Sequence, residues 1–490
     1  MQSGFSLITA IFLLVILASL SAFIVTVSGV QQTSSALDVQ GSRAYQAAHA
    51  GIEWASYQVL INGCAGYLYE RSVTIDHTKV PNTDQINFPM LFSGTYSYLA
   101  TVANSGKVTN ASGFDIIFTD SAGAKLDHEI ESYNAATGAV NFWVRVPTVS
   151  HTTTDTVIYL CYGNAAITTS QENKTGVWNA NYKGVWHLKE DPSGAAPQMK
   201  DSTSNANHGT ADATMTSADQ VPGKIAGSLQ FVINERVNFG SGSSLNITGD
   251  LTTTFWAKMN SVFDFVDVIR RFSSSDRTYW VYFNLASQFA LSRTYNGDAT
   301  YTDLGKILTT VADGVFHHWA VTTSFADSSI KFYRDGILIG TATIPAGKTS
   351  AISTPAASTE VGDTDGVLDE VRVSNIARSA DWITTEYNNQ SSPSTFYTLG
   401  AENAGSAFAT ACQATACTTP PTCPGPGTPQ PLTGMGGTLS GFTTNVDCCS
   451  STQVEGVVTV QVYQICSTAA QGTAATIDRV ERQLQATVSK

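Results

Sequence analysis

The sequence predicts an α+β protein: one long N-terminal helix, a small C-terminal β part, and two all-β sandwiches between them. Three observations predict it. The chain opens on an apolar stretch that passes without a break into a 3.6-residue stripe. Residues 63–402 then carry period-2 strands separated by Gly, Asn, Ser and Thr turns, with little helical periodicity. Of the 8 cysteines, six lie beyond residue 403.

Composition narrows the setting. Only 13% of the 490 residues are charged, against about 25% in ordinary soluble domains. The net charge is −13, and no basic stripe offsets it, which excludes nucleic acid as a partner.

The first element is the helix. Residues 1–37 hold no charged side chain, and the first is Asp38. As a helix, Phe5–Val30 would be ~39 Å long, enough to cross a ~30 Å hydrocarbon core. A cleaved signal peptide fits poorly, because the run is too long and lacks a basic n-region. Beyond it, Leu37, Gly41, Ala44, Ala48, Ile52, Ala55 and Val59 form one helical stripe, and Asn62-Gly63 is a stop signal.

Gly4-Phe5-Ser6-Leu7-Ile8 at the start of this helix resembles the class III signal of type IV prepilins. That resemblance implies cleavage between Gly4 and Phe5 by a prepilin peptidase, with methylation of Phe5. The run from Val30 through Tyr45-Gln46-Ala47-Ala48 to Ala50-Gly51-Ile52-Glu53-Trp54 is closer still, as is Val480-Glu481-Arg482-Gln483-Leu484 near the other end. Both resemble the minor pilins of the mannose-sensitive haemagglutinin (MSHA) pilus biogenesis cluster. The implied partners are other major and minor pilins, the peptidase and the inner-membrane assembly machinery. The implied location is a single-pass inner-membrane state followed by the extracellular pilus. Thr9 stands where major pilins carry a Glu that neutralises the neighbouring subunit's amine. A subunit that enters first has no such neighbour, so Thr9 reads either as a mark of the pilus tip or as one polar residue in a membrane helix.

The expected organisation is a leader at 1–4, the helix at 5–62, a first sandwich at 66–176, a second at 182–402 and a C-terminal pilin part at 403–490. Strands are expected at Arg71–Asp76, Phe114–Thr119, Ala139–Val146, Thr156–Tyr162, His318–Thr323 and Val367–Val373. Asp335-Gly336 marks a hairpin. In the first sandwich, Gly113–Asp120, Lys125–Glu131 and Val157–Asn164 resemble a domain of unknown function found beside MotA/TolQ/ExbB proton channels. In the second, Gly184-Val185-Trp186-His187-Leu188, Lys200–Gly209, His317–Val321 and Leu368-Asp369-Glu370-Val371-Arg372-Val373-Ser374 resemble jelly-roll domains of the concanavalin A-like/laminin G-like class. A short helix is expected near Ala380–Tyr387.

Several side chains are candidates for chemistry. Asp127, Glu129 and Glu131 alternate along one strand face, which reads either as a calcium or sugar site or as a solvated sheet face. Asp201, Asn205 and Asn207, with Asp369 approaching through the fold, offer oxygen ligands suited to Ca²⁺; the competing reading is an Asx-rich turn holding its own backbone. Trp256, Trp280 and Trp319 are candidates for stacking on sugar rings or for the core. Cys64, Cys412, Cys417, Cys423, Cys448, Cys449 and Cys466 are disulfide candidates in an exported chain, while Cys161 in an apolar strand reads as a buried thiol; that leaves an odd seven, so either one more is free or Cys161 pairs. No Gly-x-Ser-x-Gly elbow, phosphate loop or Glu-x-Asp-x-(x)-Glu strand is present, so no enzyme is expected. The resulting expectation is a tip-located minor pilin with a lectin-like adhesive head for a glycan or surface ligand. The alternatives are a type II secretion pseudopilin and a membrane-anchored lectin unrelated to pili.

The N-terminus supplies the first test. Mass spectrometry of the mature protein is expected to find methylated Phe5; an intact Met1 in cells with an active prepilin peptidase contradicts the resemblance.

Overall fold

The computed structural model describes residues 7–60, 64, 66–262, 265–273, 276–284, 288–308, 310–404, 430–432, 443–455, 458–471 and 480–489. Gly4, Phe5, Cys412, Cys417 and Cys423 lie outside them. The chain divides into two compact units: Met1–Leu68 with Ala404–Lys490, and Tyr69–Asn403.

In the first unit, one α-helix runs over Leu7–Leu60, 54 residues, or about 81 Å at 1.5 Å per residue. Its Ile11–Val30 part is uncovered, and Phe12 and Leu14 are exposed. The lower part carries the stripe inward. Gly41, Ala44, Ala48 and Ala55 are buried, Leu37 and Ile52 half-buried. Ala44, Ala47 and Ala48 pack on Ala469, beside Leu37 and Leu484. These small residues let helix and sheet approach closely. A Cβ on Gly51 would lie 2.1 Å from Ser467 Oγ, so no larger residue fits there. The covering sheet is antiparallel, in the order Gln430–Leu432, Thr443–Glu455, Val458–Gln471, Val480–Ser489.

The second unit is β throughout except for short helices. Its first sandwich faces a sheet ordered Tyr397–Leu399, Tyr69–Ile75, Thr156–Tyr162, Ile116–Thr119 against one ordered Gln85–Thr95, Ala139–Val149, His128–Asn134. Val73, Ile75, Phe118 and Ile158 meet Phe88, Met90, Phe142 and Val144 in the core. The second sandwich pairs, among the described residues, an eight-stranded with a seven-stranded antiparallel sheet. Phe255, Val281, Phe283, Phe289, Trp319, Leu368, Val371 and Val373 fill the space between. Its hairpin turns at Asp335 (φ 52°) and Gly336 (φ 74°), both left-handed as a type I′ turn requires.

The two sandwiches share structure rather than follow one another. Strand Tyr397–Leu399, after the second sandwich, pairs with Tyr69–Ile75 of the first. Tyr182, Val185, Ala320, Tyr333, Trp382 and Ile383 belong to the first sandwich's core cluster. Helix Ala380–Ser391, capped by Ser379 Oγ accepting from Trp382 N–H, lies over the junction. Asn389 there accepts from Leu91 N–H at 2.6 Å and donates to Leu91 C=O at 3.0 Å.

Cys161 is corrected: it is disulfide-bonded rather than a thiol, as are Cys64, Cys448, Cys449 and Cys466. Among the described residues no cysteine is free.

Because Asn389 is fully buried, truncating it strands two backbone groups. Asn389→Ala is expected to destabilise the protein by about 2 kcal/mol or more, read from the denaturant midpoint.

Candidate functional site

Of the places where the second unit gathers polar side chains, two hold sequence-predicted site residues or lie beside them. The first is buried at the junction of the sandwiches. Strand His128–Asn134 carries a bulge between Ile130 and Ser132, so Glu131 has no residue opposite. Strand Asp365–Ser374 is irregular against Leu251–Ser261 between its Arg372 and Asp369 pairings. Glu370 sits in that irregularity with φ 54°. Leu368, Val371 and Val373 thereby stay in the sandwich core, while Glu370 and Arg372 turn to the other face. Bulges re-aim side chains in this way.

Glu129, Glu131, Glu370, Arg372 and Glu386 converge there around His187, all buried. His187 Nδ1 is 2.6 Å from Glu370 Oε1 and 3.6 Å from Glu131 Oε2, and its Nε2 is 3.4 Å from Glu129 Oε1. Trp178 and Ser202 donate to Glu129 at 2.7 and 2.6 Å; Trp143 donates to Glu131 at 2.7 Å. Arg372 donates to Glu370 at 2.5 Å and to Glu386 at 3.0 Å, with its guanidinium over the rings of Trp143 and Trp178.

Burial alone would push His187 down, but Glu370, Glu129 and Glu131 hold it well above its usual value. Burial raises Glu131, and the Glu370 charge adds to it, to about 7. Burial would likewise raise Glu129, yet His187 and its hydrogen bonds bring it down to about 2.

The expected solvated face is therefore corrected for Glu129 and Glu131: both are interior groups with named donors. Asp127 is apart from them, ion-paired with Arg145 and accepting from Asn173 at 2.8 Å.

The proposed calcium set is engaged elsewhere. Asp201 is buried and accepts from Val185 N–H, Thr203 N–H, Thr203 Oγ and Asn207 N–H at 2.8–3.0 Å. Asn205 and Asn207 donate to the carbonyls of Tyr182 and Lys183. This is the Asx-turn reading, with the Asp201 oxygens spent on their own backbone. Asp369 is buried, accepts from Ile225 N–H at 3.0 Å, and is pushed well up by burial and by Glu370. Among the described residues no hydrogen bond joins it to Asp201.

Of the tryptophans, Trp319 packs between Phe283 and Phe289 in the core. Trp256 is buried beneath helix Ala380–Ser391, donating to Gln390 at 2.6 Å. Neither can stack on a ligand. Trp280 is on the outer side of the seven-stranded sheet, the second gathering place, but it too is buried, in a small cluster with Tyr282 and Ala290. It stacks on Tyr282 with centroids 4.2 Å apart, and its Nε1 donates to Asp267 at 2.7 Å. Phe265, 52% exposed, lies 5.4 Å from it, and Phe272 adds a third ring at 5.6 Å. Tyr301, 40% exposed, carries the Arg277 guanidinium 3.1 Å above its ring. Asp267, Arg270, Glu360 and Arg236 link this platform to a cleft of about 570 Å³ lined by His208, Asp212, Arg236, Asn238 and Glu360. Phe272 packs against the small buried cluster of Trp280, Tyr282 and Ala290. Phe265 and Tyr301 escape detection in the sequence, since an aromatic in a strand gives no sign of which face it takes.

The two-sheet antiparallel sandwich is that of a concanavalin A-like domain. Residues 233–384 match the concanavalin A-like lectin/glucanases superfamily, and residues 112–183 match a domain of unknown function, DUF2341. No curated protein matches the sequence. Among solved structures, the chain is similar to domain 4 of AbnA, an extracellular arabinanase from Geobacillus stearothermophilus, at 17% identity and TM-score 0.33, covering 42% of this chain and 98% of that one. It is similar to the IT-sialidase CBM40 of Ruminococcus gnavus at 15% identity and TM-score 0.27, covering 33% and 95%. It is also similar to the binding domain of botulinum neurotoxin DC at 8% identity and TM-score 0.34, covering 62% and 78%. At such TM-scores these likenesses carry no functional weight.

Acid dependence follows from Glu386. Burial would raise it, but hydrogen bonding with His318 and the Arg372 charge bring it down to about 2. The unfolded chain takes up its proton near 4.5, before the folded protein does. The stabilisation is thus full above that pH and is lost as pH falls towards 2. Glu386→Gln is expected to flatten the fall of Tm over this range.

Proposed function

We propose that this chain is a membrane-anchored, pilin-type subunit that displays a glycan-binding head, acting as a tip-located minor subunit of an MSHA-like type IV pilus. The observation that carries the binding half is the pair of exposed rings on the outer side of the seven-stranded sheet. Phe265 and Tyr301 are exposed there, backed by the buried Trp280 and beside Arg270, Arg277, Asp267 and Glu360. Aromatic faces with a few fixed polar groups suit the apolar faces and hydroxyls of a sugar ring. The superfamily match over 233–384 supports the same reading.

Binding is favoured over catalysis, although that superfamily's name spans lectins and glucanases. A glycosidase needs an acid and a second carboxylate flanking one bond. On this face Asp267 and Glu360 are both held by Arg270, and Asp303 by Arg277. The anchoring half rests on the helix. An uncovered apolar segment suited to lipid continues into an alanine-lined stripe suited to close packing. Its partners would be major and minor pilins, handled by prepilin peptidase and the inner-membrane assembly machinery.

A glycan array probed with the detergent-solubilised full chain tests the head. Phe265→Ala and Tyr301→Ala are expected to weaken the glycans that bind about tenfold or more, about 1.4 kcal/mol, with Tm unchanged. Binding that survives both substitutions would move the site off this face. Peptides of the chain in sheared pili, absent from a prepilin peptidase deletion, test the anchor; a surface lectin unrelated to pili would show no such dependence.

A further inference from the structure

The buried cluster holds more than its ion pairs require. Glu131, His187 and Glu370 each turn one ligand-type atom into a common space, all within 4.8 Å of one another, and all three are buried. They come from three distant strands or strand ends, so the fold and not local sequence assembles them. Each has its own supporting partner: Trp143 N–H on Glu131, Arg372 on Glu370, and Glu129 facing His187 Nε2. Metal ligands are supported in this way, above all a histidine whose second ring nitrogen faces a carboxylate.

Two further observations point to a missing ligand. Glu131 is 4% exposed, and its Oε1 has no hydrogen-bond partner. Four carboxylates also gather there: Glu129, Glu131, Glu370 and Glu386 face Arg372 and His187, with His318 3.6 Å from Glu386 and Lys189 donating to the Glu131 carbonyl. Carboxylates gathered away from water are costly unless paired. Moreover, Leu188 (φ 57°) and Glu370 (φ 54°) both hold left-handed backbone, unusual for such residues. The chain accepts that strain at and beside two of the three converging residues.

We propose that Glu131, His187 and Glu370 bind a divalent transition-metal ion of the zinc type, which clamps the first sandwich to the second. One imidazole nitrogen and two carboxylates suit Zn²⁺ at four-coordination, whereas Ca²⁺ takes six to eight oxygens. The ion adds positive charge among these carboxylates. The proposal is independent of the glycan reading, since no residue of the outer face takes part.

Elemental analysis of the full chain, purified in detergent from zinc-supplemented cells, tests it. About one zinc ion per chain is expected to survive dialysis. Glu131→Gln and Glu370→Gln are each expected to retain at least tenfold less, while Glu386→Gln keeps the wild-type content. Phenanthroline is expected to lower the wild-type Tm, and added Zn²⁺ to restore it. Wild-type protein that carries no metal above the level of the variants, or whose Tm ignores phenanthroline, overturns the proposal. The wild-type measurements decide even where a variant does not fold.

Discussion

The second unit depends on burying charge between two sheets that belong to different sandwiches. Arg372 lies between Glu370 and Glu386 and beneath Trp143 and Trp178. His187 completes the group against Glu129 and Glu131. Interior charges are tolerated only when paired and hydrogen-bonded. Here the partners come from both sandwiches, so neither could be removed without leaving charges stranded. This ties residues 112–183 and 233–384, which match separate families, into one body.

The same constraint orders the rest of the unit. Helix Ala380–Ser391 brings Glu386 and Gln390 down onto the sheet and holds Leu91 with Asn389. One face of the second sandwich is thus closed by structure. On the other, Phe265 and Tyr301 are exposed beside a network of ion pairs.

Much of the architecture is legible in the sequence because it rests on periodicity. The stripe from Leu37 to Ala55 is the buried face of the helix, and Asp335-Gly336 is a turn with both residues left-handed. Alternation fails where bulges intervene. Glu129 and Glu131 read as a surface pair, yet both are interior, since nothing in a strand's own residues announces a partner such as His187. Asp369, Glu370 and Arg372 within an apolar strand were the available signal, because charges inside a core strand need counter-charges. Trp256 and Trp280 look alike in the sequence and both are buried, one beneath a helix and the other in a cluster with Tyr282 and Ala290. Cys161 is misread for a related reason: an apolar strand does not reveal a bonded neighbour.

The helix packing carries a consequence for synthesis. Ala44, Ala47 and Ala48 find their cover on the strands around Ala469 and Leu484. That cover leaves the ribosome roughly 20–80 s after the helix, at ordinary elongation rates. For that interval the stripe has no native surface to lie on. The nascent chain therefore needs a host for its N-terminal half; the preceding apolar segment is long and apolar enough to cross a membrane, and lipid that took it up would be at hand until the sheet arrives.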